Sequence, residues 1–382
     1  MIYLDNAATS FPKPECVYKE VERCMREYCA NPGRGGHVLS VKAGMAVVEA
    51  RNAVSKFFNI HNPMFLCFTK NATEGLNVAI RGIAVPGCHI ITTGMEHNSV
   101  MRPLRTLERD MGIELTVVNG NEFGEIEPDD IKKAIKKNTV LIVCTLSSNV
   151  NGIIMPVAEI GCITHEAGVK FLVDASQGAG SISMDVVEQN IDMLAFPGHK
   201  GLLGPQGTGC LYVKEDIKLK PLMQGGTGSN SKYQFQPEFM PDLLESGTLN
   251  TPGIIGMGCG VEYITQRGIN EIREYKHWLV KMLYEGFNNI SGIKQYSVPE
   301  KSRNSGIVAV NLAGLDSTEF SYILDKDYGI CTRAGFHCAP GAHRILGTEK
   351  NGVVRFSVGC LNTEQDVVST IEAVAKIAQK SK

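Results

Sequence analysis

Short apolar runs alternate with stretches of helical spacing through the first two thirds of the chain. The runs end in polar or glycine-rich turns and lie at 65–69, 89–93, 115–118, 140–146, 171–174 and 192–196. Between most of them, apolar residues recur at i, i+3, i+4 and i+7, as in 74–83 and 157–168, which predicts helices. This alternation favours an α/β domain with a mostly parallel, buried sheet. The run at 209–215 follows a short glycine-rich link, so we expect it to be antiparallel to its neighbour.

The pattern changes after residue 220. Residues 221–252 are rich in Gly, Ser, Asn and Pro, which predicts an extended loop region. A long helical segment follows at about 253–290, and then come apolar runs and helical stretches at 306–314, 317–326, 352–360 and 363–380. This order predicts a smaller α+β C-terminal domain. We therefore expect a large domain at 12–252 and a small domain formed by 1–11 and 253–382.

Composition narrows the class of protein. The chain has 382 residues, 43% of them hydrophobic, which is enough to bury a large core. The net charge is -2 without a long run of like charge, so we predict neither a nucleic-acid partner nor a membrane surface. No signal-peptide pattern and no apolar run of about 18 residues occurs, so we expect a cytoplasmic protein that acts on small ligands. Its twelve cysteines form no C-x-x-C pair and are expected to be reduced thiols.

Polar side chains follow five of the predicted strands. In open α/β sheets the ligand crevice lies at the carboxyl ends of the strands. We therefore expect one crevice to be lined by Thr73, His97, Asn149, Asp174, Gln177, His199 and Lys200.

Three features of this crevice indicate a cofactor. The turn at 71–73 precedes a helix, whose N–H groups and the Thr73 hydroxyl would hold a phosphate; an ordinary N-cap by Thr73 is the alternative. Asp174 ends an apolar strand and requires a cationic partner. Lys200 is suited to a Schiff base with a carbonyl, and a salt bridge to Asp174 or a solvated lysine are its alternatives. A lysine, an acid and a phosphate seat are the parts that pyridoxal 5'-phosphate (PLP) requires.

The segment "CTRAGFHCAPGAHR" at 331–344 raises a separate question. Gly335, Pro340 and Gly341 predict that it forms neither a regular helix nor a strand. Taken alone, Cys338 fits a metal ligand, half of a disulfide or a nucleophile. A zinc site at His337, Cys338 and His343 is disfavoured, because adjacent residues rarely ligate one ion and no second cysteine pair completes the set.

Eight motifs occur in order along the chain: LDNAAT at 4–9, NATEGLN at 71–77, EHNS at 96–99, SNVNG at 148–152, VDASQ at 173–177, GHK at 198–200, ESGTLNTP at 245–252 and RAGFHCA at 333–339. In this order and at these spacings they resemble the class V aminotransferase fold, specifically its cysteine desulfurases. The resemblance implies the PLP-dependent transferase fold of type I, with a mostly parallel, seven-stranded sheet in the large domain, and a homodimer.

The resemblance also implies roles for individual residues. Lys200 would be the Schiff-base lysine, with Asp174 facing the pyridinium nitrogen and His97 stacking on the ring. Contacts to the ring hydroxyl would come from Gln177 and Asn149, and contacts to the phosphate from Ala72, Thr73, His199 and the Thr248 of a second subunit. The substrate carboxylate would be held by Arg355, with Arg333, Asn149 and His37 also at the substrate site.

Two positions depart from the family pattern. Pro197 stands where close relatives place a serine, and Ala72 where some have a threonine, so phosphate binding is expected to rely more on backbone amides, Thr73 and His199. The stretch around Cys338 is short, which is typical of the short-loop, group II-like branch. Members of that branch usually need a dedicated sulfur-acceptor protein.

The predicted function is that of a cysteine desulfurase, which converts L-cysteine to L-alanine and leaves a persulfide on Cys338 for sulfur transfer, as in iron–sulfur cluster assembly. Arg333 or His337 would favour the thiolate, because nearby positive charge lowers a thiol pKa. The alternatives on the same cofactor are selenocysteine lysis, cysteine sulfinate desulfination and transamination of a small amino acid. A further alternative is a protein without catalytic activity that only binds a sulfur-transfer partner. This alternative does not explain the presence of Lys200.

Overall fold

A seven-stranded sheet lies at the centre of the protein, for which a computed structural model describes residues 1–33 and 35–380. The strands in chain order are β1 (Ile2–Tyr3), β2 (Leu66–Thr69), β3 (His89–Thr93), β4 (Glu114–Val118), β5 (Thr139–Thr145), β6 (Lys170–Asp174), β7 (Met193–Pro197), β8 (Gly209–Val213), β9 (Ile293–Gln295), β10 (Ile307–Leu312), β11 (Ile330–Cys331), β12 (Arg333–Gly335) and β13 (Val353–Ser357). The order in the large sheet is β2-β8-β7-β6-β5-β3-β4. Strands β3 to β7 run parallel, whereas β8 is antiparallel to both β2 and β7. The mostly parallel sheet and the antiparallel strand at 209–215 are thus confirmed.

The helices of the protein pack on both faces of this sheet and against a second sheet. They are α1 (Glu15–Glu27), α2 (Val38–Phe57), α3 (Ala72–Ile83), α4 (Asn98–Met111), α5 (Pro128–Ala134), α6 (Val157–Ala167), α7 (Thr251–Arg267), α8 (Ile269–Asn288), α9 (Ser317–Tyr328), α10 (Pro340–Ile345) and α11 (Glu364–Lys380). Successive side chains of a strand point to opposite faces. In β5, Leu141 and Val143 accordingly join the core under α3 and α4, while Ile142 and Cys144 join the core under α2, α6 and α7. Each helix in the described ranges is too short or too polar to cross a bilayer.

A second, antiparallel sheet of order β12-β13-β10-β9 is built from the last third of the chain. Its core contains Phe356 from β13 and Phe320 from α9. The N-terminal segment belongs to the same core, because Leu4 is buried there and β1 pairs in parallel with β11. The first residues of the chain therefore lie beside the segment that carries Cys338.

Two local predictions were wrong. The segment at 253–290 is two helices, α7 and α8, separated by Gly268 at φ +88°. This left-handed conformation favours glycine and ends a helix. The segment at 331–344 contains both a strand, β12, and the short helix α10. Pro340 occupies the first turn of α10, where its missing N–H costs nothing.

A buried ion pair anchors the irregular segment between β8 and α7. Arg51 on α2 donates from Nη1 and Nη2 to the two carboxylate oxygens of Glu245 at 2.8 and 2.9 Å. The Phe68 backbone N–H also donates to Glu245 at 2.6 Å, and Arg51 donates to the Leu66 carbonyl. Both side chains are more than nine-tenths buried, so each charge depends on the other.

We expect Glu245→Ala to lower the free energy of unfolding by about 3–5 kcal/mol, because it leaves the Arg51 guanidinium buried without its counter-ion. Urea denaturation measures this loss. Arg26→Ala, which removes the exposed Arg26–Glu22 pair, is the control and should cost less than about 1 kcal/mol. Equal losses in the two variants would contradict the assignment of Glu245 as an anchor.

Candidate active site

The carboxyl ends of the parallel strands surround a cavity of about 90 Å³. Eight of the predicted residues line it: Ala72, Thr73, His97, Asn149, Asp174, Gln177, His199 and Lys200. The other lining residues are Asn71, Ser99, Thr145, Ser147, Ser176 and Pro197. The strand-end residues come together because parallel strands present their carboxyl ends at one edge of a sheet.

Lys200 follows β7 and presents its amine to this cavity. Its Nζ makes no hydrogen bond or ion pair within the described residues. Desolvation lowers the pKa of Lys200 to about 8, while the carboxylate of Asp174 opposes that shift. A lysine with so low a pKa carries a substantial fraction of neutral amine near neutral pH, and neutral amine is the form that attacks an aldehyde.

Asp174 is the last residue of β6 and is 2% exposed. Its Oδ1 accepts hydrogen bonds from both the backbone N–H, at 2.9 Å, and the hydroxyl of Ser176. A carboxylate that accepts hydrogen bonds from neighbouring groups is stabilised in its charged form. Asp174 is thereby equipped to face a protonated ring nitrogen, and it forms no salt bridge with Lys200 among the described contacts.

Glu96 is a buried carboxyl beside the site that the sequence analysis did not identify. Its Oε1 accepts hydrogen bonds from the Thr93 hydroxyl at 2.7 Å and the Thr145 backbone N–H at 2.9 Å. Desolvation raises the pKa of Glu96 to about 8, so this carboxyl is mostly neutral at physiological pH. The sequence feature that could have identified Glu96 is its position directly before His97, in the turn that follows an apolar strand.

His97 caps the N-terminus of α4. The Ser99 backbone N–H donates to His97 Nδ1 at 3.0 Å, and the Ser99 hydroxyl lies 2.7 Å from the same atom. Nδ1 therefore carries no proton, and the proton of the neutral ring is on Nε2. Desolvation lowers the pKa of His97, which favours this neutral ring. Both contacts fix the plane of the imidazole at the mouth of the cavity.

The turn before α3 and the side chain of His199 form an anion seat. Asn71, not Thr73, caps α3, because its side chain accepts the Glu74 backbone N–H at 2.9 Å. The N-cap alternative for Thr73 is therefore wrong, and its hydroxyl is not used by the cap. His199 Nδ1 is buried and has no hydrogen-bond partner in the described parts of the chain. Desolvation lowers the pKa of His199 to about 4, so a neutral ring faces this seat.

Arg355 on β13 reaches the site from the second sheet. It is 1% exposed, and its two terminal nitrogens donate to Asp5 Oδ1 at 2.7 Å and to the Asn149 carbonyl at 2.8 Å. Its Nε is buried without a partner in the described residues. Arg333 lies directly across from Arg355 in the β12–β13 pair and is exposed. Asp5, which the sequence analysis did not assign, is the counter-ion of Arg355.

The Cys338 loop is held in an uncommon backbone conformation. His337 and Cys338 have φ of +48° and +57°, in the left-handed region that costs a non-glycine residue energy. Asn149 Nδ2 donates to the His337 carbonyl at 2.6 Å, and the Asn98 backbone N–H donates to the Cys338 carbonyl at 2.7 Å. These contacts hold the loop, and the Cys338 side chain remains exposed.

The two histidines beside Cys338 are buried supports of this loop. His337 Nε2 donates to the Val353 carbonyl at 3.2 Å, and desolvation lowers the pKa of His337 to about 2. His337 is therefore neutral, and the expectation that it supplies positive charge to Cys338 was wrong. His343 contacts the Thr348 hydroxyl at 2.7 Å and stacks on His337 with ring centroids 6.0 Å apart. His343 thus supports the Cys338 loop through its contacts with Thr348 and His337.

Five of the predicted residues do not line this cavity. Arg333, Cys338 and Arg355 belong to the second sheet and its loop, as described above. The other two lie elsewhere on the single chain. His37 is exposed and caps α2, and Thr248 is exposed on the irregular segment. The alternative of a zinc site also has no support, since no group of three or more His, Cys, Asp or Glu in the described ranges has the arrangement to hold a metal ion.

Comparison with known proteins identifies the family. The model of the family Aminotransferase class-V matches residues 2–369. The chain belongs to the aminotransferase class V family. It is 36% identical to a probable cysteine desulfurase of Methanothermobacter thermautotrophicus, over 99% of this chain and 94% of that protein.

Solved structures of cysteine desulfurases have the same fold as this chain. A cysteine desulfurase of Thermococcus onnurineus superposes with a TM-score of 0.93 at 33% identity, over 99% of this chain and 95% of that one. The cysteine desulfurase CsdA of Escherichia coli superposes with a TM-score of 0.89 at 27% identity, over 99% and 94%. The predicted fold type I of PLP-dependent enzymes is confirmed.

The class V site fits PLP, the cofactor predicted from the sequence. The orphaned Nδ1 of His199 and the start of α3 offer donors for a phosphate. On the other side of the cavity, Lys200 and Asp174 provide the amine and the carboxylate. Pro197 lines the cavity without a hydroxyl, which agrees with a phosphate seat that depends on backbone N–H groups.

Lys13 is a second residue that the sequence analysis did not identify. The His199 carbonyl oxygen accepts from Lys13 Nζ at 3.1 Å, from Thr9 Oγ1 at 3.1 Å, and from the backbone N–H and hydroxyl of Ser10 at 3.1 and 3.2 Å. Lys13 Nζ also donates to the carbonyl and hydroxyl of Ser10 at 2.9 and 2.8 Å. This clamp fixes the peptide bond that leads into Lys200.

We expect Lys13→Met to weaken PLP binding about tenfold, because losing a charge-assisted hydrogen bond of about 1.5–3 kcal/mol lets the peptide between His199 and Lys200 shift. Absorbance titration of the apoprotein with PLP measures the dissociation constant. Lys19→Met, which removes an exposed lysine of α1, is the matched control. An unchanged dissociation constant in Lys13→Met would refute the clamp.

We expect the rate at which the apoprotein captures the PLP aldehyde to rise with pH and to level off above about 8, as Lys200 loses its proton. In Asp174→Asn the midpoint should move to lower pH, because the carboxylate that raises the Lys200 pKa is gone. Stopped-flow absorbance gives the profile, and Lys200→Ala should show no capture. A midpoint that moves upward in Asp174→Asn would contradict the assigned pairing.

Proposed function

We propose that this protein is a PLP-dependent cysteine desulfurase, which converts L-cysteine to L-alanine and retains the sulfur as a persulfide on Cys338. The observation that carries the proposal is the double contact of Asn149, which lines the cavity of Lys200. Its side chain holds the Cys338 loop and its carbonyl holds Arg355. A nucleophilic thiol, a carboxylate-binding arginine and a reactive lysine are thereby joined. Relatives named as cysteine desulfurases support the same activity.

PLP, when bound, supplies an electron sink for chemistry at the α-carbon of an amino acid. On the protein side, the Lys200 amine would hold the aldehyde of PLP and would carry the α-proton of the substrate. Asp174 would keep the ring nitrogen protonated, and His97 would contact the ring. The hydroxyl of the ring is assigned to Asn149 and Gln177, and the phosphate to Ala72, Thr73, His199 and Thr248 of the partner subunit.

Arg355 binds the carboxylate of the incoming cysteine. Its buried Nε lacks an acceptor in the described residues, and an unpaired donor at a buried site is costly. Asp5 neutralises the guanidinium before substrate arrives and keeps it oriented. Arg333, across the strand pair, adds a second positive charge on the path of the substrate, and we place His37 near the same entrance.

Cys338 performs the sulfur transfer as a thiolate. Its sulfur attacks the substrate sulfur, an S–S bond forms, and the C–S bond of the substrate breaks. The electron pair of that bond stays with carbon, which then takes up a proton to give alanine. Of the two residues expected to favour the thiolate, His337 is neutral, so we assign this role to Arg333.

We further propose a homodimer in a reducing, cytoplasmic environment, with a sulfur-acceptor protein as partner. Val38, Val41, Met45 and Val48 form an exposed apolar stripe on α2, which a second subunit would cover. All twelve cysteines are free thiols, as is usual in a reducing compartment.

We expect Cys338→Ala to lower cysteine-dependent persulfide and alanine formation at least about a hundredfold, because the nucleophile is lost. The absorbance change on adding cysteine should persist, since the variant keeps Lys200 and Arg355. Mass spectrometry of the protein and an alanine assay give the two readouts. Cys162→Ala, at another exposed cysteine, is the control and should behave as wild type. A Cys338→Ala variant that exchanges amino groups with keto acids at full rate would indicate a transaminase.

A further inference from the structure

A groove of about 880 Å³ begins at the Cys338 loop and runs along α4. One wall is formed by α4 and the other by α10, which starts two residues after Cys338. Asn98, at the start of the groove, donates its backbone N–H to the Cys338 carbonyl at 2.7 Å. The backbone of Cys338 therefore adjoins one end of this groove, and its side chain is exposed.

Positive charge is concentrated along the groove. Arg102, Arg105 and Arg109 recur at i, i+3 and i+7 on one face of α4, and Arg344 on α10 lies across from them. All four are exposed. Glu122 is the only carboxylate among the described residues that line the groove.

Two of the four guanidiniums have no side-chain partner among the described residues. Arg105 and Arg109 are paired with Glu108 and Asp110 at 2.7 and 2.6 Å. Arg102 and Arg344 make no ion pair or side-chain hydrogen bond within the described ranges. Because the chain as a whole has a net charge of -2, this basic groove is a local feature and not part of a generally basic surface.

The dimensions of the groove favour a polypeptide as its occupant. Asn98 and Arg109 are eleven residues apart on one helix, which corresponds to about 16 Å. An extended segment of about five residues has this length. A nucleic acid would require a broad basic surface that neutralises many phosphates, whereas the lining of this groove offers four arginines, two of them paired with carboxylates.

We propose that this groove binds an acidic segment of the acceptor protein and so delivers the acceptor's thiol to Cys338. The inference rests on the proposed desulfurase function and names its partner by chemistry. The acceptor thiolate attacks the outer sulfur of the Cys338 persulfide, a new S–S bond forms on the acceptor, and Cys338 leaves as a thiolate. The exchange conserves electrons, so no external oxidant or reductant is needed.

The test uses a fluorescent peptide, Glu-Glu-Ser-Glu-Glu-Gly-Cys, whose binding to the PLP-loaded protein is measured by fluorescence anisotropy without cysteine. The comparison probes are the same peptide with Gln in place of Glu and a single-stranded RNA of about ten nucleotides. Arg102→Glu/Arg344→Glu reverses the two unpaired charges. Lys137→Glu/Lys376→Glu makes the same change in net charge at exposed lysines elsewhere and is the matched control. Circular dichroism verifies that both variants are folded.

We expect the acidic peptide to bind wild type and the control, and to bind Arg102→Glu/Arg344→Glu at least about tenfold more weakly, because two attractive contacts become repulsive. Raising the salt concentration from about 0.05 to about 0.5 M should weaken binding. Equal binding of the Gln peptide, equal loss in both variants, or stronger binding of the RNA would overturn the proposal. Cys338→Ala should bind the peptide as wild type does, so a failure of desulfuration and a failure of docking are distinguishable.

Discussion

The arrangement of the site depends on Asn149, which joins the two sheets where the chemistry is proposed to occur. It lies just beyond β5 of the large sheet and is 9% exposed. Its side chain donates to the His337 carbonyl, and its own carbonyl accepts from Arg355. A buried polar group that loses its hydrogen-bond partner keeps the full free-energy cost of desolvation without compensation. Both contacts therefore resist separation of the Cys338 loop and Arg355 from the cavity of Lys200.

Burial shifts the titratable groups around the cavity toward their neutral forms. Desolvation lowers the pKa of Lys200 to about 8 and that of His199 to about 4, and it raises the pKa of Glu96 to about 8. The direction differs between acids and bases because burial always disfavours the charged form. Desolvation lowers the pKa of Arg355 as well, but the carboxylate of Asp5, which accepts its hydrogen bond, opposes that shift.

The N-terminal segment closes one side of the site. Asp5 pairs with Arg355, the Ala7 carbonyl accepts from Gln177 Nε2 at 3.0 Å, and Lys13 holds the His199 carbonyl. The same segment packs into the core of the second sheet through Leu4. Residues that are almost 200 positions before Lys200 in the chain thus orient the peptide bond on which its amine depends. The two sheets are consequently coupled through the first residues of the protein as well as through Asn149.

Much of the fold and site was predictable because periodicity and strand ends are local properties of a sequence. The alternation of apolar runs and helical spacing predicted the parallel sheet, and the polar residues that follow those runs predicted the cavity from Thr73 to Lys200. Family motifs extended these predictions to Arg355 and Cys338. Even the wrong predictions were local: Gly268 splits a long helix, and Pro340 begins a short one.

Only the tertiary structure determined which distant segments of the chain form hydrogen bonds and ion pairs with one another. Asp5 lies 350 residues from Arg355, and Lys13 lies 186 residues from His199. Neither pairing leaves a pattern in the sequence, because a single hydrogen bond or ion pair has no period. The charge state of His337 followed from its burial, which depends on packing against residues brought from β13 and α10. The sequence by itself thus determined which residues meet at the sheet edge, and folding determined which groups orient them and in which protonation state.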